Sequence, residues 1–201
     1  RMKKFVISLL SVIFLCAAAT AQVLVGMTDT TAYFPQLEGR RVAVLANHTA
    51  VARFGDGAPG VAADAAVRLP GAASDGTIHL VDLLHGRGFD VTGIFSPEHG
   101  FRGTADAGEH VASSVDAATG IPIRSLYDGN TKRPSDEAMR SFDVLVVDMQ
   151  DVGLRFYTYY ITMLRMMDAC AESGRSVIVL DRPNPNGHHV DGPVLDMKYK
   201  S

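Results

Sequence analysis

Five runs of apolar residues recur along the chain, and a polar segment follows each of them. The runs cover residues 41–46, 89–95, 121–126, 142–147 and 176–180. Their apolar character is continuous rather than alternating, which is typical of parallel strands that are buried on both faces. Stretches with helical features separate several of the runs. The pattern therefore predicts an α/β fold built on an open, doubly wound and mostly parallel sheet.

The segments between these runs contain three predicted helices. Residues at helical spacing before Gly88 predict the first, and Pro134 marks the start of a short second helix. Residues 30–37 permit a further short helix, but Pro35 favours an irregular arm. The long third helix, 159–173, is expected to bury one face, and the core is expected to hold its methionines and two aromatic residues near its start. That face is Ile161, Leu164, Met167 and Cys170, and the two aromatic residues are Phe156 and Tyr160.

The first 21 residues have the features of a bacterial secretory signal peptide. Lys3 and Lys4 precede the apolar run 5–15, which is too short to span a membrane, and an A-x-A cleavage site ends at Ala21. Leu15 stands where a lipobox has a small residue, so acylation of Cys16 is not expected. We therefore expect export to the periplasm or to the outside of the cell.

Composition sets limits on the partners of the exported chain. The 201-residue chain has a formal charge of −3, and loss of the signal peptide makes it more negative because only basic charges leave. An acidic chain without a basic cluster is not expected to bind nucleic acid or, after cleavage, a membrane. Cys170 would be the remaining cysteine, so no intrachain disulfide is expected. The composition is compatible with a homo-oligomer as well as with a monomer.

The polar segments that follow the strands are the main functional signal. After the second strand comes Ser96-Pro97-Glu98-His99-Gly100-Phe101-Arg102-Gly103, which combines a carboxylate, an imidazole and a guanidinium. Asn47-His48-Thr49, residues 148–159 and residues 181–187 follow three other strands. In doubly wound sheets the site lies outside the carboxyl ends of the strands, so these loops are expected to share one crevice.

Several kinds of site lack their motifs. The chain has no G-x-x-x-x-G-K-[ST], no G-x-S-x-G and no H-E-x-x-H. Residues 55–60 have the spacing G-x-G-x-x-G, but they do not directly follow the predicted strand 41–46, as a dinucleotide-binding turn must. The adjacent His188 and His189 are expected to point apart in an extended chain. We therefore expect no nucleotide cofactor, no nucleophilic serine and no metal, although an exported metal-dependent esterase or amidase acting on cell wall remains an alternative.

The segments that follow the strands contain many carboxylate, amide and guanidinium side chains. Amides suit hydroxyl and acetamide groups, and arginine can clamp a carboxylate through two hydrogen bonds. The set suits a sugar that carries a carboxylate. Each residue also has a structural alternative, since Asp148 and Asp181 can cap a following segment and Arg155 can pair with an aspartate at a strand end.

Four of these motifs, in this order, resemble the exo-β-N-acetylmuramidases of the NamZ family: 47–49, 96–103, 148–159 and 181–187. The similarity runs from about Leu37 to Leu195. It implies a Rossmann-like catalytic domain over 39–195. Residues 22–38 are expected to be an entry segment before it. Residues 53–76 are rich in Ala, Gly and Asp with little periodicity, which predicts a surface excursion longer than the resemblance leads us to expect. The resemblance also implies a second, smaller domain, to which 196–201 would begin the link and which this chain lacks.

The resemblance further implies release of N-acetylmuramic acid from the non-reducing end of peptidoglycan fragments, with Glu98 as the catalytic residue. We expect Glu98 to be the general acid. Asp151 is expected to assist at the anomeric carbon, with Asp148 and Tyr157 as alternatives and the substrate acetamide as a third route, so retention and inversion both stay open. Expected to bind muramyl saccharides are Asn47, His99, Arg102, Gln150, Arg155, Tyr159, Asp181, Arg182, Asn184 and Asn186. A non-catalytic muramyl-sugar binding domain or an inactive fragment is the alternative.

Overall fold

The computed structural model describes residues 24–54, 71–98, 100–102, 114–126 and 133–199. The predicted signal peptide, most of the excursion at 53–76 and His99 lie outside these residues. Within them the strands are β1 (Arg41–Ala46), β2 (Val51–Arg53), β3 (Thr77–His79), β4 (Asp90–Ser96), β5 (Ser114–Val115), β6 (Pro122–Ser125), β7 (Val144–Asp148) and β8 (Ser176–Val179). The helices are α1 (Thr30–Leu37), α2 (Leu80–Gly86), α3 (Asp136–Arg140) and α4 (Tyr159–Glu172).

Six strands form the central sheet in the order β5-β6-β4-β1-β7-β8. The pairs β1–β4, β1–β7, β4–β6 and β7–β8 are parallel, and the short edge strand β5 is antiparallel to β6. The predicted α/β fold with a mostly parallel sheet is confirmed. All five predicted strands are present, with ends that differ by one or two residues.

Helices cover both faces of the sheet because successive side chains of a buried strand point to opposite sides. On β1, Val42 and Val44 pack with residues of α1 and α2 in one apolar cluster. Ala43 and Leu45 of the same strand pack with residues of α3 and α4 in a second cluster. The sheet is therefore doubly wound, and both faces of its central strand are inaccessible to solvent.

Two expectations about the helices are wrong. Residues 30–37 form the helix α1 with Pro35 inside it. Proline is tolerated there because a helix of eight residues has few interior hydrogen bonds to lose. The buried face of α4 is also different from the expected one, since Leu164 and Met167 are exposed whereas Thr162 and Met166 are buried.

Two aromatic residues expected in the core are on the surface. The exposed fraction of Phe156 is 77 % and that of Tyr160 is 36 %. Phe156 belongs to the polar segment that leads into α4, and Tyr160 belongs to the first turn of that helix. The free Cys170, in contrast, is buried on α4 as expected.

A small hairpin was not predicted. β2 and β3 pair in antiparallel fashion, from Val51 opposite His79 to Arg53 opposite Thr77. Ile78 therefore belongs to a strand, although its spacing matched that of the first predicted helix, α2. Three-residue strands are too short to show a period of two, so the sequence contains no signal for them.

The strand order places the crevice of the sheet. The chain runs from β1 to β4 and β6 on one side and then crosses to β7 and β8 on the other. The loops after β1 and β7 therefore leave the sheet in opposite directions, which opens a crevice between them at their carboxyl ends. Among the described residues, no helix is long and apolar enough to cross a membrane.

At the opposite edge, an ion pair joins the starts of β1 and β7. Arg41 Nη2 lies 2.7 Å from Asp143 Oδ1, and the Arg41 backbone N–H donates to Asp143 Oδ2 at 3.1 Å. These hydrogen bonds from the side chain and backbone of Arg41 lower the pKa of Asp143 to about 2. In the folded state the Asp143 carboxylate therefore binds a proton less readily than in the unfolded chain, where its pKa is about 3.9.

The stabilisation from Asp143 is therefore complete above about pH 4 and is lost as the pH falls towards about 2. We predict that Asp143→Asn makes the melting temperature less dependent on pH across this window. Thermal unfolding followed by circular dichroism measures it. Asp168→Asn, which removes an exposed carboxylate from α4, is the control and should leave the wild-type dependence intact. Equal pH dependence in wild type and Asp143→Asn would contradict the prediction.

Candidate functional site

The first side chain of the site is Asn47, which directly follows β1 and is completely buried. Its Oδ1 accepts hydrogen bonds from the backbone N–H of Thr49 at 3.0 Å and from the Thr49 hydroxyl at 2.6 Å. Two donors on one oxygen fix the orientation of the amide. Nδ2 therefore points the other way, and among the described residues it has no hydrogen bond of normal geometry.

Glu98 follows β4 and is half-buried. The hydroxyl of Thr158 donates to Glu98 Oε2 at 2.8 Å. Thr158 is the N-cap residue of α4, yet its side chain makes no capping hydrogen bond with that helix. A threonine in this position normally accepts from a backbone N–H of the first turn. Here the hydroxyl instead joins the start of α4 to the carboxylate.

Two tyrosines stand beside this carboxylate. The rings of Tyr157 and Tyr159 meet edge to face with centroids 4.7 Å apart. Burial raises the pKa of the Tyr159 hydroxyl; the nearby Asn47 amide opposes this rise, and the charges of Tyr157 and Glu98 add to it. The loops after β1, β4 and β7 thus bring Asn47, Glu98, Tyr157 and Tyr159 into one cluster, as the strand ends predicted.

Hydrogen bonds between loops hold the other side of the crevice. The backbone N–H of Gln150 donates to the Thr49 hydroxyl at 3.0 Å, which joins the loops after β1 and β7. Gln150 Nε2 donates to the carbonyls of Asp151 and Pro183 at 2.8 and 3.0 Å. Asn186 Nδ2 donates to the Val152 carbonyl at 2.9 Å. Gln150 and Asn186 therefore tie the loop after β8 to the loop after β7.

Asn184 has a local role in the same place. Its Oδ1 accepts from the backbone N–H of Asn186 at 2.9 Å, and its side chain lies against Gly153. Gly153 has a positive φ of 72°, and a Cβ at that position would lie 2.6 Å from Asn184 Nδ2. The turn at 151–153 and the asparagine therefore fit together only because residue 153 is glycine.

The three arginines expected to clamp a substrate carboxylate have different surroundings. Arg102 pairs with Asp82 at 3.1 Å and with Asp116 at 2.9 Å, and both carboxylates are buried. Arg182 pairs with the buried Asp148. Arg155 is exposed and has no ion pair among the described residues. Only Arg155 of these three therefore has its charge uncompensated by a neighbouring carboxylate.

The ion pair with Arg182 also affects the pKa of Asp148. The exposed fraction is 0 % for the Asp148 side chain and 8 % for that of Arg182. Burial raises the pKa of Asp148, and the hydrogen bond and charge of Arg182 oppose the rise. Asp148 thus belongs to a buried ion pair. Asp181, in contrast, is exposed, and its carbonyl accepts from the Gly26 N–H at 2.7 Å.

A cavity of about 130 Å³, open to solvent on one side, lies at the carboxyl ends of β7 and β8. Apolar side chains form much of its wall, and Asp151 and Tyr159 contribute to it. The full lining is Val147, Met149, Asp151, Tyr159, Tyr160, Met163, Val179, Leu180, Asp181 and Arg182. The cavity therefore shares Tyr159 with the cluster around Glu98.

Sequence reasoning missed two threonines of the site. Thr158 orients Glu98, and Thr49 joins Asn47 to Gln150. Thr158 directly precedes the long predicted helix, a position where a threonine typically caps the helix, and nothing in the sequence indicates that its hydroxyl binds Glu98 instead. Thr49 had no signal beyond its place after β1.

The histidine pair near the C-terminus is arranged differently from the expectation. The rings of His188 and His189 lie 4.1 Å apart instead of pointing away from each other. Residues 185–188 form a turn, and the chain is therefore not extended there. In the parts of the chain that the structure describes, no three histidine, cysteine or acidic side chains are grouped closely enough to hold a metal ion.

The Arg102 cluster gives a stability prediction. Arg102→Met leaves Asp82 and Asp116 buried without their cation, and we expect a loss of about 2–4 kcal/mol, because a broken buried pair costs about 3–5 kcal/mol and Arg102 is itself partly exposed. Urea unfolding measures the change.

The control for Arg102→Met is Arg133→Met, which breaks the exposed pair of Arg133 with Glu172. It should cost much less than Arg102→Met, because an exposed ion pair is screened by solvent and contributes little to stability. Similar losses in the two variants would show that Arg102 does not stabilise the buried carboxylates.

The chain is similar to known proteins over most of its length. Residues 61–201 match the family described as "Exo-beta-N-acetylmuramidase NamZ, N-terminal". A curated relative is the peptidoglycan beta-N-acetylmuramidase NamZ of Bacillus subtilis (strain 168), which is 49 % identical over 123 residues. That match covers 60 % of this chain and 30 % of the relative.

Two solved structures have a similar fold. Both are DUF1343 family proteins from Bacteroides fragilis NCTC 9343, with TM-scores of 0.66 and 0.65 and sequence identities of 48 % and 33 %. The matches cover 90 % and 88 % of this chain but only 40 % and 39 % of those proteins. The chain thus spans less than half the length of these relatives. The family match over residues 61–201 shows that the chain belongs to the NamZ exo-β-N-acetylmuramidase family, of which it contains the N-terminal part.

Proposed function

We propose that this chain carries the catalytic glutamate of an exo-acting glycoside hydrolase that releases N-acetylmuramic acid from the non-reducing end of peptidoglycan fragments. The observation that supports it most is the fixed carboxylate of Glu98, which Thr158 holds beside Asn47 and Tyr159. Family membership supports the same reaction class. The activity of a whole protein as long as the relatives is part of this proposal.

Glu98 is proposed to act as the general acid. The Thr158 hydroxyl occupies Oε2, so Oε1 is the oxygen that remains to give a proton to the leaving glycosidic oxygen. Because the carboxyl group is already held in one orientation, less conformational entropy is lost when the proton is transferred. Tyr159, buried beside it, contributes to the wall of the adjoining cavity.

The group that assists at the anomeric carbon is proposed to be Asp151, Tyr157 or the substrate's own acetamide. Asp148 does not fit this role, because its carboxylate is fully buried and paired with Arg182. Asp151 lines the cavity next to Tyr159. We therefore expect Asp148→Asn to lower the free energy of unfolding, because it removes the charge that pairs with Arg182, and not to act directly on the reaction at the anomeric carbon.

The lactyl carboxylate of N-acetylmuramic acid needs a cation, and Arg155 is proposed to supply it. Arg102 and Arg182 already have carboxylate partners, whereas Arg155 has an exposed side chain in the segment between β7 and α4. Arginine can bind a carboxylate through two parallel hydrogen bonds. Selectivity for the muramyl sugar over an N-acetylglucosamine residue would arise from this contact.

Export to the periplasm or the cell exterior is part of the proposal, since peptidoglycan fragments are found there and residues 1–21 have the pattern of a signal peptide. A second candidate function is muramyl-sugar binding without catalysis. The cavity and the exposed Arg155 would serve binding alone as well as catalysis.

The general-acid role is tested with Glu98→Gln. On a disaccharide of N-acetylmuramic acid and N-acetylglucosamine we expect turnover to fall by about 10²–10⁴-fold, the usual contribution of a positioned acid. On an aryl muramide with a good leaving group the loss should be smaller, because that leaving group needs no proton. Released muramic acid and released phenol are the measurements.

Turnover of the disaccharide like that of the wild type would sink the assignment of Glu98. An equal loss on both substrates would mean that Glu98 is needed for something other than protonation of the leaving group. A wild-type chain that binds the disaccharide but does not cleave it would favour the binding function.

The positioning of Glu98 is tested with Thr158→Val, which removes the hydroxyl and keeps the shape of the side chain. We expect kcat to fall about tenfold with KM nearly unchanged, while Thr158→Ser keeps most of the activity. Stability should change little, since the Thr158 side chain does not cap α4.

The matched control is Ser135→Ala. Ser135 caps α3 by accepting from the Ala138 N–H at 3.2 Å, so its loss should cost about 1 kcal/mol and leave kcat unchanged. A stability loss in Thr158→Val that equals the one in Ser135→Ala, with kcat intact, would refute the positioning role.

A further inference from the structure

We propose that the cavity beside Asp151 binds the 2-acetamido group of the muramyl sugar, with Asp151 Oδ2 accepting a hydrogen bond from the amide N–H. The inference rests on the proposed function and deepens it, because it assigns the two substituents of the sugar ring to different places in the site.

The first step is the unpaired oxygen of Asp151. Its Oδ1 accepts from the Gly153 N–H at 2.6 Å, whereas Oδ2 is buried and has no donor among the described residues. A buried acceptor without a partner costs free energy that a ligand with an N–H or O–H group can recover. Asp151 also lines the cavity, so such a ligand would come from that side.

The second step is the nature of the cavity wall. Val147, Met149, Met163, Val179 and Leu180 make much of it apolar. A hydroxyl group would satisfy Asp151 but would leave these side chains without a partner. An acetamide offers an N–H donor and, two bonds away, a methyl group that can pack against them. The combination of one acceptor and an apolar wall therefore favours an acylamino group.

The third step is the charge of the cavity. Asp151 and Asp181 contribute negative charge, and the positive charge of Arg182 is already compensated by Asp148. A carboxylate placed here would be repelled, so the lactyl group of the sugar is excluded. Arg155, which lies outside the cavity lining, remains for the lactyl carboxylate. The two substituents are thus separated by electrostatics.

The fourth step is distance along the sugar. The acetamide is attached to C2, which is bonded to the anomeric carbon, so its site must adjoin the catalytic acid. The cavity meets this condition, because Tyr159 forms part of its wall and the preceding residue, Thr158, binds Glu98. Gln150 Nε2 holds the Asp151 carbonyl at 2.8 Å and so fixes the loop that carries the carboxylate.

The test uses four methyl β-glycosides in the Glu98→Gln background, which prevents turnover. They are N-acetylmuramic acid, its analogue with a 2-O-acetyl ester in place of the acetamide, and the same two sugars without the lactyl group. The ester keeps the carbonyl and the methyl but lacks the N–H. Ligand-observed NMR titration gives the dissociation constants.

We expect the acetamide to bind about tenfold more tightly than the ester, with or without the lactyl group, as befits one hydrogen bond to a charged acceptor. Asp151→Asn should abolish this difference while keeping the turn, because asparagine can also accept from the Gly153 N–H. Asp168→Asn on the exposed side of α4 removes the same charge and should leave the difference intact.

Equal binding of acetamide and ester, or an Asp151→Asn variant that loses affinity for both equally, would overturn the inference. The comparison of the sugars with and without the lactyl group tests the proposed function separately. A preference for acetamide without any gain from the lactyl group would support the cavity assignment and contradict specificity for muramic acid. Failure of all four sugars to bind would overturn both.

Discussion

The buried ion pair of Asp148 and Arg182 is the interaction on which the carboxyl edge of the sheet depends. Asp148 ends β7, next to the crevice between β1 and β7, and Arg182 follows β8. Arg182 Nη2 also donates to the Val51 carbonyl at 3.1 Å, so the same guanidinium reaches the β2–β3 hairpin. Because both charges are almost completely desolvated, neither can be left alone without a large penalty. The pair therefore fixes the relative positions of the elements that surround the cavity, and it leaves Asp148 unsuited to acid–base chemistry.

The parts of the fold that the sequence predicted are those with long and strongly patterned signals. The apolar run 41–46 coincides with β1, and the carboxyl ends of the strands do bring Asn47 and Glu98 together. What could not be predicted depends on contacts between distant residues. Arg102 lies twenty positions from Asp82 and Arg182 lies 34 positions from Asp148, so nothing local distinguishes them from Arg155, which has no ion pair in the described parts of the chain. The wrong face of α4 has a related cause: apolar side chains occur around much of that helix, and the sheet alone decides which of them are buried.

Preorganisation of the site comes from hydrogen bonds that connect loops rather than from the loops themselves. Thr49 accepts from Gln150, Gln150 donates to the loop after β8, and Asn186 donates back to the loop after β7. Each bond contributes only about 0.5–1.5 kcal/mol, but the bonds share residues, so each supports the positions of the loops that the others join. Thr158 adds Glu98 to this body at the expense of a cap on α4. A helix start without its side-chain cap is the kind of local compromise that functional sites contain.

The proposed contact between Asp151 Oδ2 and the acetamide has a consequence for the proposed mechanism as well as for the proposed specificity. A carboxylate that holds the acetamide N–H has both oxygens engaged, because Gly153 already occupies Oδ1. It is then poorly placed to attack the anomeric carbon or to activate a water there. The negative charge would instead favour positive charge developing on the acetamide nitrogen, which arises when the acetamide oxygen attacks the anomeric carbon. If the acetamide occupies the cavity, Asp151 and the substrate acetamide act together: the acetamide assists at the anomeric carbon and Asp151 binds its N–H. Tyr157 is then the independent alternative.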